Sequence, residues 1–466
     1  MKFFKSPVSW IPSLYFAEGF PNVIVSVIAA VMYKRLSMSG EVPELDNTEI
    51  ALYVSWMYLP WVIKPFWSPI VDVLKSKRWW ILAMQFLMGT AFAGVAFAIP
   101  TSSVIQWTLV LFWLVAYSSA THDIAADGYY MHQLNTHEQT LYVGFRSLFY
   151  RLSTIAGQGL LLMLVGNLEV FLRNSTQAWS ITFFCTAALF FLLWLYHRWV
   201  LPKPRTDRDE QQRFTLLETI KETLAMVIAF LLKPGLGVAL FFMLFYRFPE
   251  ALLTRICPLF MLDSQNVGGL ALSTSQMAYV QGTLGVVGLI LGGILGGIVV
   301  SQSGFKKWLW PMVFSISLPN AIYIFFAYWQ PVELYPIAIG VFIEQFGYGF
   351  GFTAYMLYLL YFSQMKFTIP QEGIKAQIFH FLLQNWPGLS HYLKKEFQTS
   401  HYAFCTGLMA VGLMVPGSFA GWIQAQMGYL NFFILILLLC PITFIVSAII
   451  RVPASFGCKE DLVEKI

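Results

Sequence analysis

Long apolar runs constrain this chain more than any other feature. A helix needs about 20 apolar residues to cross the hydrocarbon core of a bilayer. Twelve runs of that order can be read, at roughly 8–33, 48–71, 79–100, 105–130, 140–166, 178–200, 235–262, 272–302, 307–328, 334–362, 401–427 and 430–451. Inside lipid every backbone N–H and C=O must be satisfied within its own span, so runs of this kind fold as helices. Composition agrees: 11% of residues are charged and mean hydropathy is +0.64, whereas soluble domains carry about 25% charged residues. The first run lacks a small-residue cleavage site and is expected as a retained span, not a signal peptide. The five cysteines show no CxxC spacing and are expected as buried small hydrophobes.

The links between runs set the topology. Residues 201–234 contain KPRTDRDEQQR followed by an amphipathic stretch, with Phe214, Leu217, Ile220, Leu224, Val227 and Leu231 on one face. Residues 363–400 form a second polar insertion. Both are expected to lie along the membrane surface. Even-numbered links and the two termini hold twenty Lys and Arg against three (Lys34, Arg35 and Arg173) in odd-numbered links. That asymmetry puts both termini in the cytoplasm. It also explains the net charge of +5 without a nucleic-acid partner. The halves repeat: KRWWI (77–81) returns as KKWLW (306–310), and YFAEGFP (15–21) as LFYRFP (244–249). The expectation is an all-α membrane protein of twelve transmembrane helices in two pseudo-symmetric six-helix bundles, the layout of a major facilitator. Its parts are bundle 1–200, linker 201–234, bundle 235–451 with the insertion 363–400, and a cytoplasmic tail 452–466.

Charges inside the apolar runs are costly and therefore informative. Glu18, Arg151, Arg247 and Glu344, on spans 1, 5, 7 and 10, each fall roughly 15 Å into the bilayer at ~1.5 Å per residue. They are expected to converge on a substrate or ion site, with Glu250 one turn beyond Arg247. Arginine forks suit carboxylate or phosphate, and Tyr348, Tyr355 and Tyr358 are candidate cavity rings. Lys64, Asp123 and Arg146 lie in the cytoplasmic leaflet, with Asp127 and Asp72 nearer its edge. Asp123 and Asp127 share a helical face. This second set reads either as a static ion pair or as a gate whose carboxylate exchanges protons. His122 and His132 are expected as polar side chains near the interface. Glycines at 288, 292 and 296, and at 407, 412, 417 and 421, suit close helix approach.

Several of these segments resemble the muropeptide permease (AmpG) branch of the major facilitators: KPFWSPIVD (64–72), SATHDIAADGY (119–129), YRLSTIAGQGL (150–160), LFYRFPEALL (244–253) and TSHYAFCTGLMAVG…PGSFAGW (399–422). Where the family has Lys and Asp in the fourth segment, this chain has Arg247 and Glu250. The resemblance implies a multi-pass protein of the bacterial inner membrane that imports GlcNAc-anhydro-muropeptides with protons. Acetyl-CoA transporters are more distant relatives.

Proton-coupled uptake by alternating access is thus the leading expectation, with a small sugar-peptide or other anionic substrate and a monomeric protein in lipid. The alternatives are a carrier of another anionic metabolite or sugar, or a receptor that binds cell-wall fragments without moving them. An intramembrane enzyme is disfavoured by the absence of HExxH, GxGD and GxSxG, so no catalytic residue, metal site or cofactor is expected. The coupling ion is expected to be H⁺, with Na⁺ the alternative.

Overall fold

The computed structural model describes residues 6–40, 44–134, 142, 146, 148–203, 216–368, 373–386, 388–393, 398–453 and 456–457, and among them all regular elements are helical. Ten helices are long and apolar enough to cross a membrane: Pro7–Met38, Lys77–Ala98, Val104–Gln133, Leu148–Leu172, Ser175–Val200, Leu236–Leu262, Thr274–Ser303, Phe305–Trp329, Leu334–Gln364 and Ser400–Ile449.

Two stretches account for the difference from twelve runs. Span 2 is divided into two shorter helices, Asn47–Trp56 and Leu59–Val73. The first is opened by a capping box in which Asp46 and Glu49 satisfy each other's backbone N–H groups. The second has Pro60 in its first turn, where a missing N–H costs nothing. Runs 11 and 12 join into one helical stretch, but Gly428 (φ 73°, ψ 170°) breaks it where the two were expected to part. That φ is open to glycine and strained for other residues.

Several spans are irregular at mid-length. Residues Ile24–Ile28, Ile155–Leu161 and Ala278–Gly285 form π-helical turns in spans 1, 5 and 8. In the seventh run the helix Leu236–Phe245 stops and a new one, Phe248–Leu262, begins with Pro249 in its first turn. Of the two echoing segments, LFYRFP straddles this break, whereas YFAEGFP lies within the α-helix Pro7–Val23, just before the π-helical turn of span 1.

Small residues bring spans 5 and 8 into backbone contact. A Cβ on Gly282 would lie 2.0 Å from the Gln158 carbonyl oxygen, and one on Gly166 would lie 2.2 Å from Ser275 Oγ. Close approach of this kind replaces the missing hydrophobic drive between helices in lipid. Gly288, Gly292 and Gly296 pack against the helix Leu334–Gln364. The largest apolar core joins both ends of the chain, with Ile28, Val31 and Val54 beside Leu252, Ile256 and Phe433.

The linker segment KPRTDRDEQQR falls on residues 203–213, of which 204–213 lie outside the described residues, as do Phe214 and the side chain of Leu217. The helix that follows, Leu216–Leu231, leaves Ile220, Leu224 and Leu231 exposed. Its other flank (Ala225, Met226, Ala229) packs on Phe379, Leu389 and Leu393 of the 363–400 insertion. Lys233 then donates to the carbonyls of Phe362 and Ser363, 2.7 Å each, at the end of Leu334–Gln364. Linker and insertion form one layer clamped to the second half.

Candidate functional site

Two groups of charged side chains near mid-span stand out among the described residues. The first joins the expected gate residues Lys64, Asp123, Asp127 and Arg146 and adds Glu18 to them, and the second contains Arg151 and Arg247 without Glu18. In the first half the carboxylates of Glu18, Asp123 and Asp127 lie within 4.8 Å of one another. Asp123 and Asp127 are one turn apart on Val104–Gln133, so their side chains stack on one face. Glu18 faces them from Pro7–Val23. Two cations enter the cluster. Lys64, from the second helix of span 2, pairs with Asp123. Arg146 pairs with Asp127 at 2.7 Å and places its guanidinium 4.7 Å from the centre of the Tyr15 ring. The Tyr15 hydroxyl donates to Asp127 at 3.2 Å. Three acids thus face two cations, and Glu18 Oε2 has no hydrogen-bond partner. A buried, uncompensated charge costs on the order of several kcal/mol, so this cluster is balanced when it holds one proton, and Glu18 is the acid without an ion-pair partner among the described residues. The side chain of Asp72 lies outside the described residues.

Glu18 is therefore placed with the gate set and not with Arg151, Arg247 and Glu344. The reason is rotational: depth along a helix does not determine which face a residue occupies, and Glu18 sits on the face of span 1 that meets span 4.

In the second half Arg247 occupies the break between the two helices of span 7. It donates to the Tyr348 hydroxyl, and its guanidinium lies 4.8 Å from the centre of the Phe352 ring. Arg151 reaches across from span 5, its guanidinium 3.4 Å from where a Cβ on Gly293 of span 8 would lie, and within electrostatic range of Tyr348. Arg151, Tyr348 and Arg247 thus form a cationic, aromatic corner where the halves meet.

Glu344 and Glu250 stand apart from that corner. Glu344 is buried within the second half, accepting from Tyr323 at 3.2 Å and Gln345 at 2.9 Å. Glu250 turns toward spans 9 and 12. Tyr355 is fully buried, its hydroxyl donated to the Met243 carbonyl at 2.6 Å, and Tyr358 packs on Phe242. Both tyrosines are internal to the second half, because aromatic spacing alone does not distinguish packing from lining.

Two polar networks escaped the sequence reading. His122, expected near the interface, is fully buried. It contacts Gln85 at 3.0 Å, Gln85 contacts His197 at 3.0 Å, and His197 contacts Ser13 at 2.9 Å. Gln85, a lone amide mid-way along an apolar span, was the available signal. The second network lies at the other end of the molecule. Lys34 pairs with Asp263 at 2.6 Å, and Asn47 bridges Lys34, Asp263, Gln424 and Tyr429. Beside it Arg35 pairs with Glu169 at 2.9 Å, and Glu169 accepts from Thr274 at 2.7 Å. These bonds join residues before 200 to residues after 235 and fasten the halves together at that end.

The sequence model of the Major Facilitator Superfamily matches residues 13–367. Anhydromuropeptide permease of Escherichia coli is 23% identical over 446 residues, covering 93% of this chain and 78% of the relative. A putative transporter, AmpG 4 of Rickettsia conorii, is 22% identical over 368 residues, 77% of this chain and 82% of its own length. Among solved structures, a D-xylose-proton symporter superposes with a TM-score of 0.63 at 13% identity, covering 97% of this chain and 99% of its own. A bacterial homologue of the lysosomal transporter Spinster, inward-facing and unoccupied, gives 0.58 at 13% identity, over 96% and 98%.

Proposed function

Because the chain belongs to the major facilitator superfamily, as an AmpG-like multi-pass membrane transporter, we propose that it imports anhydromuropeptides across a bacterial inner membrane, driven by protons. The observation that carries the coupling is the three-acid, two-cation cluster of Glu18, Asp123, Asp127, Lys64 and Arg146. One proton neutralises it, and loss of that proton leaves a charge that only a change of pairing or of hydration can accommodate. The Arg151–Tyr348–Arg247 corner supports an anionic cargo. Two guanidinium forks suit peptide carboxylates, and the rings of Tyr348 and Phe352 offer faces for a sugar.

In this reading the protein works as a monomer of twelve spans, with the divided span 2 and the stretch broken at Gly428 completing the count, and with both termini cytoplasmic. The Lys34–Asp263 end then faces outward, and its cross-links hold the carrier closed on that side.

Uptake of labelled anhydromuropeptide into proteoliposomes under an imposed pH gradient tests the proposal. Accumulation that collapses with a protonophore is expected. Binding without accumulation would make the protein a receptor, and accumulation of a different anion with none of the muropeptide would replace the cargo.

A further inference from the structure

A small cavity of about 10 Å³ lies within the second half, lined by Tyr246, Pro249, Glu250, Ile316, Ser317, Asn320, Cys440 and Thr443. That is about the space one water-sized particle requires. Glu250 is 98% buried, and neither of its carboxylate oxygens has a hydrogen-bond partner; Ser317 Oγ, equally buried, has none either. Unsatisfied buried oxygens are rare and call for an explanation such as a bound ion.

The surrounding helices are built for one. Span 7 breaks at Tyr246–Arg247, just before Glu250. Span 9 breaks into a 3₁₀ turn, Leu318–Asn320, just after Ser317. Span 12 carries Pro441 between Cys440 and Thr443. Discontinuous helices of this kind are where transporters place small-ion sites. The available ligands are hard oxygens: both carboxylate oxygens, the Ser317 and Thr443 hydroxyls, and the Asn320 carbonyl, whose amide nitrogen is directed at Cys440 Sγ (3.9 Å). Thr443 donates its proton to the Tyr246 carbonyl at 3.0 Å, which leaves its lone pairs free.

Charge agrees with geometry. Ionised Glu250 places one negative charge at the cavity wall, while the Arg247 guanidinium is directed to Tyr348 and Phe352. Arg255, the next cation on the helix, is turned away to the Ser26 carbonyl (3.1 Å) and the Tyr58 ring (5.8 Å). One monovalent cation would balance Glu250, and oxygen ligands select a hard one.

We propose that this cavity is a sodium site, with Glu250 as its charged ligand and Ser317, Asn320 and Thr443 completing the shell. It lies behind span 7, separate from the acids around Asp123, and does not rest on the proposed cargo.

The test uses full-length protein purified in detergent, with radioactive sodium and no organic substrate. Saturable binding of about one sodium per chain is expected, along with a melting temperature that rises with sodium but not with choline at equal ionic strength. Glu250→Gln should weaken binding by more than ~10-fold and abolish the sodium-dependent melting shift. Ser317→Ala and Thr443→Val should each weaken binding, and they serve as the readout if Glu250→Gln does not fold. Absence of saturable sodium binding in the wild type overturns the proposal. So does wild-type affinity in Glu250→Gln, or in both hydroxyl variants, or loss of binding in Asp123→Asn alone. Failed muropeptide uptake with intact sodium binding would strike the cargo and leave this site standing.

Discussion

Lys34 and Asp263 form an ion pair of 2.6 Å between positions 229 apart in the chain, the offset that separates KRWWI from KKWLW. The Arg255 bond to the Ser26 carbonyl spans 229 positions as well. Residues at equivalent positions of two repeats can touch only near the axis relating them. The repeat seen in sequence is thus realised in space, with spans 1 and 7 meeting along the pseudo-two-fold.

Breaking this pair should release the fastened end. Both side chains are about nine-tenths buried, and removing one partner of a buried pair costs ~3–5 kcal/mol. Lys34→Gln is expected to shift the protein toward the outward-open state, read as increased thiol labelling of Gly268→Cys. The charge exchange Lys34→Asp with Asp263→Lys should restore protection in part, and unchanged labelling in the single variant would remove the latch.

The all-helical membrane fold was legible in sequence because apolar length is a one-dimensional signal. The partners of Glu18 were not: its depth could be counted, but its azimuth is set by how span 1 packs against span 4. Asp123 and Arg146 share a height because spans 4 and 5 run antiparallel over a short link, and Lys64 falls in the same leaflet by its depth in span 2. The Asn47 network was hidden because Asn47 lies 382 positions from Tyr429 and each member looks ordinary in its own neighbourhood.

Asp123→Asn should leave a folded protein that no longer accumulates substrate against a pH gradient. The variant removes a proton-accepting group and frees Lys64. Adding Lys64→Met should recover ~1–4 kcal/mol of thermal stability, since an uncompensated buried cation is costly, without recovering transport. Normal accumulation in Asp123→Asn would show the pair to be only a brace.

Arg247→Ala should weaken anionic substrate binding by about 10- to 100-fold, corresponding to ~1.5–3 kcal/mol for hydrogen bonds to a charged group. Tyr348→Phe removes only the hydroxyl that Arg247 donates to and should cost less. Isothermal titration with the muropeptide gives both values. Equal, small effects would place Arg247 in a structural role within span 7.

Gln85→Leu should destabilise the protein by ~2–4 kcal/mol, because it strips partners from two fully buried histidines at once and each orphaned group costs ~1–3 kcal/mol. Thermal melts in detergent measure this. The conservative Gln85→Glu should behave differently, pairing with a protonated histidine at low pH and losing that gain as the pH rises above the histidine range.

Gly282→Ala should oppose the close approach of spans 5 and 8, since its Cβ would meet the Gln158 carbonyl at 2.0 Å and the Gly159 nitrogen at 2.5 Å. Overpacking of that kind costs ~1–3 kcal/mol. Gly297→Ala, with nothing within 4 Å of the new Cβ, should be neutral or gain up to ~1 kcal/mol from helix propensity. Thermal melts separate the two.

The wide turns in spans 1, 5 and 8 have a consequence for evolution as well as for motion. A π-helical turn holds one residue more than an α-helix of the same length, so it re-phases everything beyond it by roughly a quarter-turn. Deleting a single residue from Ile155–Leu161 would leave span 5 long enough to cross the bilayer. It would also turn Arg151, which precedes the wide turn, relative to the part of span 5 beyond it, so the span can change its alignment with its partners while still crossing the bilayer.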